Sequence, residues 1–235
     1  MPNRFYDEIR RAQDRIESYV RRIFAEYGNE LSLRLGDLNL LQNEHNCLES
    51  STAIGFILEE FLVSRLEVST LNNEGPEDFR ICRNVDAATT SSSYDCSSRI
   101  GDIRMLINVK VNKRGSNNNA VAAIGQLYKD FVRTDPTVDK CFLVLKVNYD
   151  FGSTSDGERK IFINDVVTYF LDEIDLSREH KQDHRNWSEE FQADSGRLLV
   201  SNAFRRSHRV PSDRISYANT VAMLEAVKQR NSVGR

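Results

Sequence analysis

The sequence has few of the features that mark disulfide-stabilised, zinc-binding or redox proteins. It contains four cysteines in 235 residues, at Cys47, Cys82, Cys96 and Cys141. No two of them have the short C-x-x-C spacing of a zinc or redox site. Widely spaced cysteines are typical of free thiols in a reducing compartment, so we expect a cytoplasmic protein without disulfides.

Long apolar runs are also missing. No stretch approaches the roughly 20 consecutive apolar residues that a membrane-spanning helix needs. The opening segment, MPNRFYDEIRRAQDR, is charged from its start and lacks the apolar part of a secretion signal. We therefore expect neither a membrane anchor nor secretion.

Several common catalytic motifs are absent as well. There is no Gly-rich phosphate loop and no G-x-S-x-G segment, so nucleotide triphosphate chemistry and a serine hydrolase triad lack support. His180 and His184 have the i, i+4 spacing of a helical metal site, but no obvious third ligand accompanies them, and a solvated polar segment explains them better. The net charge of −3 argues against a general polyanion-coating protein, although it permits a local basic stripe.

The sequence does contain alternating helix and strand patterns. Apolar residues near a 3.6-residue period predict helices over residues 4–27 and over 49–68. We expect further helices in NNNAVAAIGQLYKDFVRTD and in SYANTVAMLEAVKQR. KCFLVLKVNYDF predicts a central strand, FRICRNV and GRLLVSN predict short strands, and ERKIFINDVVTYFLDEID predicts a strand that turns into a helix at Asn164 or Asp165. This order predicts an α/β fold, a single domain over residues 1–235 with a mixed central β-sheet flanked by helices.

The segment YDCSSRIGDIRMLINVKVN predicts a β-hairpin around Gly101 and Asp102. Glycine at the first central position of a two-residue loop favours a type II′ turn. With the turn at that place, Asp95 lies opposite Asn108, and Lys110 follows on the same face of the second strand. The residues between them, Ile107, Val109 and Val111, then point to the other face.

A carboxylate, an amide oxygen and an ammonium group would thus converge. Asp95 and Asn108 offer the oxygen ligands that suit a hard cation such as Mg²⁺. Lys110 would orient a water, polarise a phosphate or stabilise charge that develops during a reaction. On residue types alone, an ordinary polar pair of Asp95 and Lys110 at a sheet edge explains the pattern equally well.

This arrangement resembles the PD-(D/E)xK nuclease superfamily, especially its type II restriction endonucleases. In that family a hairpin carries an Asp on one strand and an acidic-x-Lys triplet on the next, which corresponds here to Asp95, Asn108 and Lys110. An upstream helix often adds a glutamate, which falls on Glu59 or Glu60 in FILEEFL. Glu59 is the better candidate, because helical geometry places it nearer the apolar side. Exposed glutamates on an amphipathic helix remain the alternative interpretation.

The resemblance covers residues 48–150 in arrangement rather than in identity, and it departs from the family pattern twice. Tyr94 precedes Asp95 where the family usually has Pro, and Asn108 replaces the second acidic residue, which removes one negative charge. Asp102 is a rival for the first ligand, since GDI before a strand also occurs in this superfamily. It lies only six residues before Asn108, which leaves too little chain for an intervening turn.

The resemblance implies a Mg²⁺-dependent, site-specific endonuclease of double-stranded DNA in a bacterial or archaeal cytoplasm. Asp95, Asn108 and Glu59 would hold the metal, and Lys110 would assist the attacking water. A symmetric target favours a homodimer with the first or the last helix at its interface, although monomeric enzymes of this type exist. The alternatives are a DNA repair or recombination nuclease of the same fold, and a DNA-binding module that has lost catalysis, which Asn108 favours.

Two groups of basic residues are candidates for DNA contacts. Lys113 and Arg114 directly follow the proposed catalytic strand, in NKRGSNNN. A second group lies in GRLLVSNAFRRSHRVPSDR, namely Arg197, Arg205, Arg206 and Arg209. Arginine and lysine contact phosphates, and arginine also pairs with guanine. We therefore expect residues 176–235 to contact DNA or to form the dimer interface, although solvated loops also have this composition.

Overall fold

Helices and strands alternate along the part of the chain that the computed structural model describes, which is residues 6–32, 51–71, 79–85, 92–116, 120–174, 197–200 and 217–233. The helices in these ranges are α1 (Tyr6–Ala25), α2 (Ser51–Leu71), α3 (Ile124–Tyr128) and α4 (Tyr217–Val233). A π-helix (Lys129–Arg133) continues α3. The strands are β1 (Glu30–Ser32), β2 (Cys82–Arg83), β3 (Cys96–Ile100), β4 (Ile103–Lys113), β5 (Ala120–Ala123), β6 (Lys140–Ser153), β7 (Arg159–Phe170) and β8 (Arg197–Leu199).

Six of these strands form one mixed sheet in the order β1-β7-β6-β4-β3-β2. The central pair β4 and β6 is parallel, and all other neighbouring strands in this sheet are antiparallel. A parallel pair needs a crossover connection, which β5, α3 and the π-helix provide. The predicted fold class, an α/β fold with a mixed central sheet flanked by helices, is confirmed.

The sheet separates two apolar cores, and β4 contributes alternate side chains to each. Met105, Ile107 and Val109 pack with the apolar faces of α1 and α2. On the opposite face, Leu106 packs with residues of α3, the π-helix, β6 and α4, among them Ile124, Leu127, Phe131, Phe142 and Leu224. Full burial of one such aliphatic side chain contributes about 1.5–3 kcal/mol to stability. The two cores therefore hold β4 firmly and determine which way each of its side chains points.

The predicted hairpin is present in the predicted register. Cys96 pairs with Ile107, and Ile100 pairs with Ile103 on either side of the turn. Gly101 has φ +55°, and Asp102 has no positive φ, a combination that fits the predicted type II′ turn. The predicted helices α1, α2 and α4 and the strands β2, β6 and β8 are also confirmed.

The predicted helix in NNNAVAAIGQLYKDFVRTD begins later than expected. Residues 120–123 form β5, which pairs with β8 through Ala120 and Leu199 and through Ala123 and Arg197. The α-helix starts at Ile124 and changes to the π-helix after Tyr128. Tertiary pairing with β8 therefore overrides the helix propensity of the alanines. The start of the predicted segment, residues 117–119, lies outside the described residues.

The predicted strand-to-helix change at Asn164 or Asp165 is wrong. Strand β7 runs on to Phe170 and stays paired with β6, and a short 3-10 helix (Leu171–Glu173) follows it. Asn148 pairs with Asp165 and Tyr149 pairs with Ile163, so Asn164 is the extra residue of a β-bulge. The β-branched and aromatic side chains that follow favour a strand, and the polar Asn-Asp step marks the bulge rather than a helix start.

Among the described residues, none of the helices has both the length and the apolar character needed to cross a membrane.

Candidate active site

The candidate site lies where β4 loses its neighbour β3. The ladder between the two strands ends at the pair of Cys96 and Ile107. The backbone N–H of Asp95 donates to the same residue, Ile107 O, at 2.9 Å. Two consecutive residues thus face one residue of β4, which is the pattern of a β-bulge, and bulges turn side chains away from their regular direction. Asp95 therefore does not continue the regular pairing that would place it opposite Asn108.

Two carboxylates occupy the edge of β4 beyond this point. The N–H of Val109 donates to Asp95 Oδ2 at 2.6 Å, and the N–H of Val111 donates to Glu59 Oε1 at 3.3 Å. These amides face the side from which β3 has departed, so without the two acids they would need water or another acceptor. Lys110, which is half-buried, lies between them in the chain. The structure thus brings Asp95, Glu59 and Lys110 together.

The two acids are half-buried, and the charge of Lys110 compensates their burial only in part. Burial raises the pKa of Glu59, the Lys110 ammonium group opposes this, and the charge of Asp95 adds to the increase. Burial also raises the pKa of Asp95, while Lys110 and the Val109 N–H oppose the increase. Both pKa values remain above their usual range, so a further positive charge beside these carboxylates would be stabilising.

Asn108 is held close to this edge with its amide in one orientation. It is 4% exposed, and its Nδ2 donates to Ser93 O at 2.5 Å. Its Oδ1 is buried and accepts no hydrogen bond from the described residues. An unsatisfied buried acceptor costs about 1–3 kcal/mol, which a bound cation or water would relieve.

The donor set fits a divalent cation such as Mg²⁺. Within the described ranges, no group of three or more His, Cys, Asp and Glu side chains is placed to hold a metal ion. The oxygens on offer are therefore two carboxylates, from Asp95 and Glu59, and one amide oxygen, from Asn108. All three are hard ligands, and the unsatisfied Asn108 Oδ1 is the observation that supports the fit.

The rival acids lie elsewhere. Glu60 is exposed on α2, and its Oε2 accepts from Arg83 Nη1 at 2.6 Å. Asp102 lies in the hairpin turn, and most of the 11-residue strand β4 separates it from Lys110. At about 3.3 Å per residue, this separation is roughly 25 Å. Asp102 and Lys110 therefore cannot belong to one metal site in this fold.

The basic residues proposed for DNA contacts are only partly within the described residues. Lys113 and Arg114 are exposed at the same end of β4 as Lys110. Lys113 Nζ lies 5.0 Å from the ring centroid of Phe151, and Arg114 Nη1 lies 3.7 Å from Asp150 Oδ2. Arg197 is half-buried in β8. The remaining predicted residues, Arg205, Arg206 and Arg209, and the histidines His180 and His184 lie outside the described residues.

Two further polar residues near the site were missed by the sequence analysis. The parallel register of β4 and β6 places Lys146 directly beside Lys110. A lysine within the apolar run of KCFLVLKVNYDF was the signal for it, but only the pairing of the strands identifies its neighbour. Asp130, in the π-helix, binds the serines that precede Asp95. No sequence pattern pointed to it, because its partners lie in an irregular segment.

Comparison with known proteins does not assign the chain to a family. No family model matches the sequence, and no curated protein matches it. Among solved structures, the chain is similar to NlaIV restriction endonuclease, with 13% sequence identity and a TM-score of 0.45, over 87% of this chain and 77% of that one. Membership of the PD-(D/E)xK superfamily stays a prediction, so function must be argued from the side chains.

Proposed function

We propose that this protein is a Mg²⁺-dependent endonuclease that cleaves double-stranded DNA at a specific sequence, as type II restriction enzymes do. The observation that carries the proposal is the pair of half-buried carboxylates, Asp95 and Glu59, that bind the open edge of β4 and both interact with Lys110. Partly buried acids with raised pKa values beside a lysine are characteristic of functional sites.

The cation would be held by Asp95, Glu59 and the Oδ1 of Asn108. The Val109 and Val111 amides engage Asp95 Oδ2 and Glu59 Oε1, so the second oxygen of each carboxylate has no hydrogen bond from a described residue. A bound cation would supply Lewis-acid stabilisation of charge on the phosphate and would make a nearby water more acidic.

Lys110 has the simplest role in this proposal. Its ammonium group is half-buried and interacts with both acids, so it is held at the place where the scissile phosphate would lie. A positioned cation stabilises the negative charge that develops on the phosphate oxygens during attack. Lys146, beside it on β6, and Lys113 and Arg114, at the end of β4, would contact neighbouring phosphates.

Binding of DNA by a chain with a net charge of −3 requires this local concentration of positive charge. Cleavage of both strands at a symmetric sequence further favours a homodimer, since a two-fold axis of the protein then matches that of the DNA. Sedimentation analysis with and without DNA would determine the oligomeric state.

The test is cleavage of plasmid DNA in Mg²⁺ and in EDTA, with Lys110→Ala and a matched control, Lys160→Ala. Lys160 forms ion pairs with Glu30 and Glu158 at the distant β1–β7 edge. We expect discrete fragments in Mg²⁺ only, loss of cleavage in Lys110→Ala with DNA binding retained, and wild-type cleavage in Lys160→Ala. Cleavage by Lys110→Ala at the wild-type rate would show that the assigned site is wrong.

The same assay separates the alternatives. Degradation to fragments of every length would indicate a repair or recombination nuclease rather than a restriction enzyme. DNA binding without cleavage would indicate a module that has lost catalysis. One observation favours this last alternative: Asn108 replaces an acid and its Nδ2 is engaged in a buried hydrogen bond.

A further inference from the structure

One buried carboxylate holds the segment that leads into β3. Asp130 Oδ2 accepts three hydrogen bonds, from Ser93 N at 2.7 Å, from Ser93 Oγ at 2.9 Å and from Ser92 Oγ at 3.2 Å. Asp130 is 9% exposed and Ser93 is 3% exposed. Hydrogen bonds to an ionised acceptor are shorter and stronger than neutral ones, so this contact fixes residues 92 and 93 against the π-helix.

The same serine determines how Asn108 is oriented. Ser93 O accepts from Asn108 Nδ2 at 2.5 Å. Exchange of the amide nitrogen and oxygen would set two acceptors against each other, so only this orientation of the amide is compatible with Ser93. Asn108 Oδ1 is consequently the atom left without a hydrogen-bond partner among the described residues.

We infer that Asp130 is a positioning residue for the candidate metal site, because it fixes Ser93 and through it the orientation in which Asn108 presents Oδ1 to a divalent cation. The inference rests on the proposed function and extends it to a residue that touches neither DNA nor metal. Outer groups of this kind orient metal ligands, and their loss typically weakens metal affinity about 10–100-fold. A π-helical turn, in which Asp130 lies, is itself a rare feature that is often found at functional sites.

The same contacts give a physical reason for the amide at position 108. A carboxylate there would have no proton to donate at neutral pH, and its oxygens would face the carbonyl oxygen of Ser93. An asparagine satisfies that carbonyl and still offers one oxygen. The replacement of an acid by an amide at position 108 is thus explained by the Ser93 carbonyl, which Asp130 holds in place.

The test measures Mn²⁺ binding to the full chain by calorimetry in the absence of DNA. Asp130→Asn keeps the size of the side chain and removes its charge, so the three hydrogen bonds from Ser92 and Ser93 become weaker neutral ones. We expect it to weaken Mn²⁺ binding about 10–100-fold. Asn108→Ala should weaken binding to a similar extent, and the double variant should bind no more weakly than Asn108→Ala alone. Ser93→Ala retains the N–H donor and should show a smaller loss of affinity, which keeps the test usable if Asp130→Asn does not fold.

A purely structural role is distinguished by Gln13→Ala. Gln13 is fully buried and donates to Thr168 O between α1 and β7. Its replacement should lower the melting temperature without changing Mn²⁺ affinity. Two outcomes would overturn this inference but not the proposed function. One is wild-type Mn²⁺ affinity in both Asp130→Asn and Ser93→Ala. The other is an equal further loss of affinity when Asp130→Asn is added to Asn108→Ala. Absence of Mn²⁺ binding and of DNA cleavage by the wild-type protein would overturn the proposed function together with it.

Discussion

The two halves of β4 differ in how their backbone is satisfied. From Ile103 to Ile107, the strand has β3 on one edge and β6 on the other. Beyond Ile107, β6 is its one neighbouring strand among the described residues, and side-chain carboxylates bind the edge that β3 has left. Both halves contribute side chains to the apolar core, but the half-paired part also carries Asn108 and Lys110. In this fold, the unpaired edge of β4 is satisfied by carboxylates rather than by a strand. The same carboxylates are the ones placed to bind a cation.

The largest effect should come from removing an acid at the open edge. Asp95→Ala is expected to reduce the rate of Mg²⁺-dependent plasmid cleavage by more than the roughly 10–100-fold typical of residues that act only through a metal ligand. Asp102→Ala, at the paired end of the same strand, is the control and should leave the rate unchanged. Equal losses in the two variants would remove the distinction between the ends of β4.

The second effect tests the buried amide. Asn108→Asp places an anionic acceptor against Ser93 O and should lower the free energy of unfolding at neutral pH by about 1–3 kcal/mol, measured by denaturant titration. The matched control is Asn112→Asp, four positions further along the same strand, where the side chain is half-exposed. There we expect a change within about 0.5 kcal/mol. A comparable loss of unfolding free energy in both variants would show that the hydrogen bond to Ser93 O does not require an amide at position 108.

The third effect concerns pH. The pKa values of Glu59 and Asp95 are raised in the folded state, so the folded protein retains protons on them more readily than the unfolded chain does. Ionisation of these two acids therefore reduces stability as pH rises through their folded pKa values. Glu59→Gln and Asp95→Asn should melt at higher temperature than the wild type at pH 8, and this advantage should shrink as pH falls through the folded pKa values and vanish below the pKa values of the unfolded chain.

Two outcomes check this prediction. Added Mg²⁺ should raise the melting temperature of the wild type at pH 8 more than that of either variant, because a cation compensates the same charges. Variants that melt below the wild type at every pH would show that the hydrogen bonds to Val109 and Val111 outweigh the cost of burying the charges.

Much of the structure at the edge of β4 was predictable from the sequence, and the predictions that were wrong have a common cause. Gly101 determined the hairpin register, and the apolar neighbours of Glu59 indicated the side of α2 that faces the sheet. The bulge at Asp95 was not predictable, because it depends on where β3 leaves β4 rather than on local pattern. The same limit applies to β7, where pairing with β6 carries the strand past Asn164. Local periodicity identifies elements, but tertiary pairing decides how far they extend and which side chains meet.

The smallest effect should come from Lys146, which lies beside Lys110 in the register of β4 and β6. The proposed function has a phosphate of the bound DNA contact this lysine next to the one that Lys110 contacts. Lys146→Ala should weaken DNA binding, measured by fluorescence anisotropy in EDTA, and lower the slope of log affinity against log salt by about 0.9, the contribution of one phosphate contact. Lys160→Ala should leave the slope unchanged. If Lys146→Ala also leaves the slope unchanged, β6 contributes no phosphate contact here. The basic residues in the half-paired part of β4 would then make the DNA contacts of this edge.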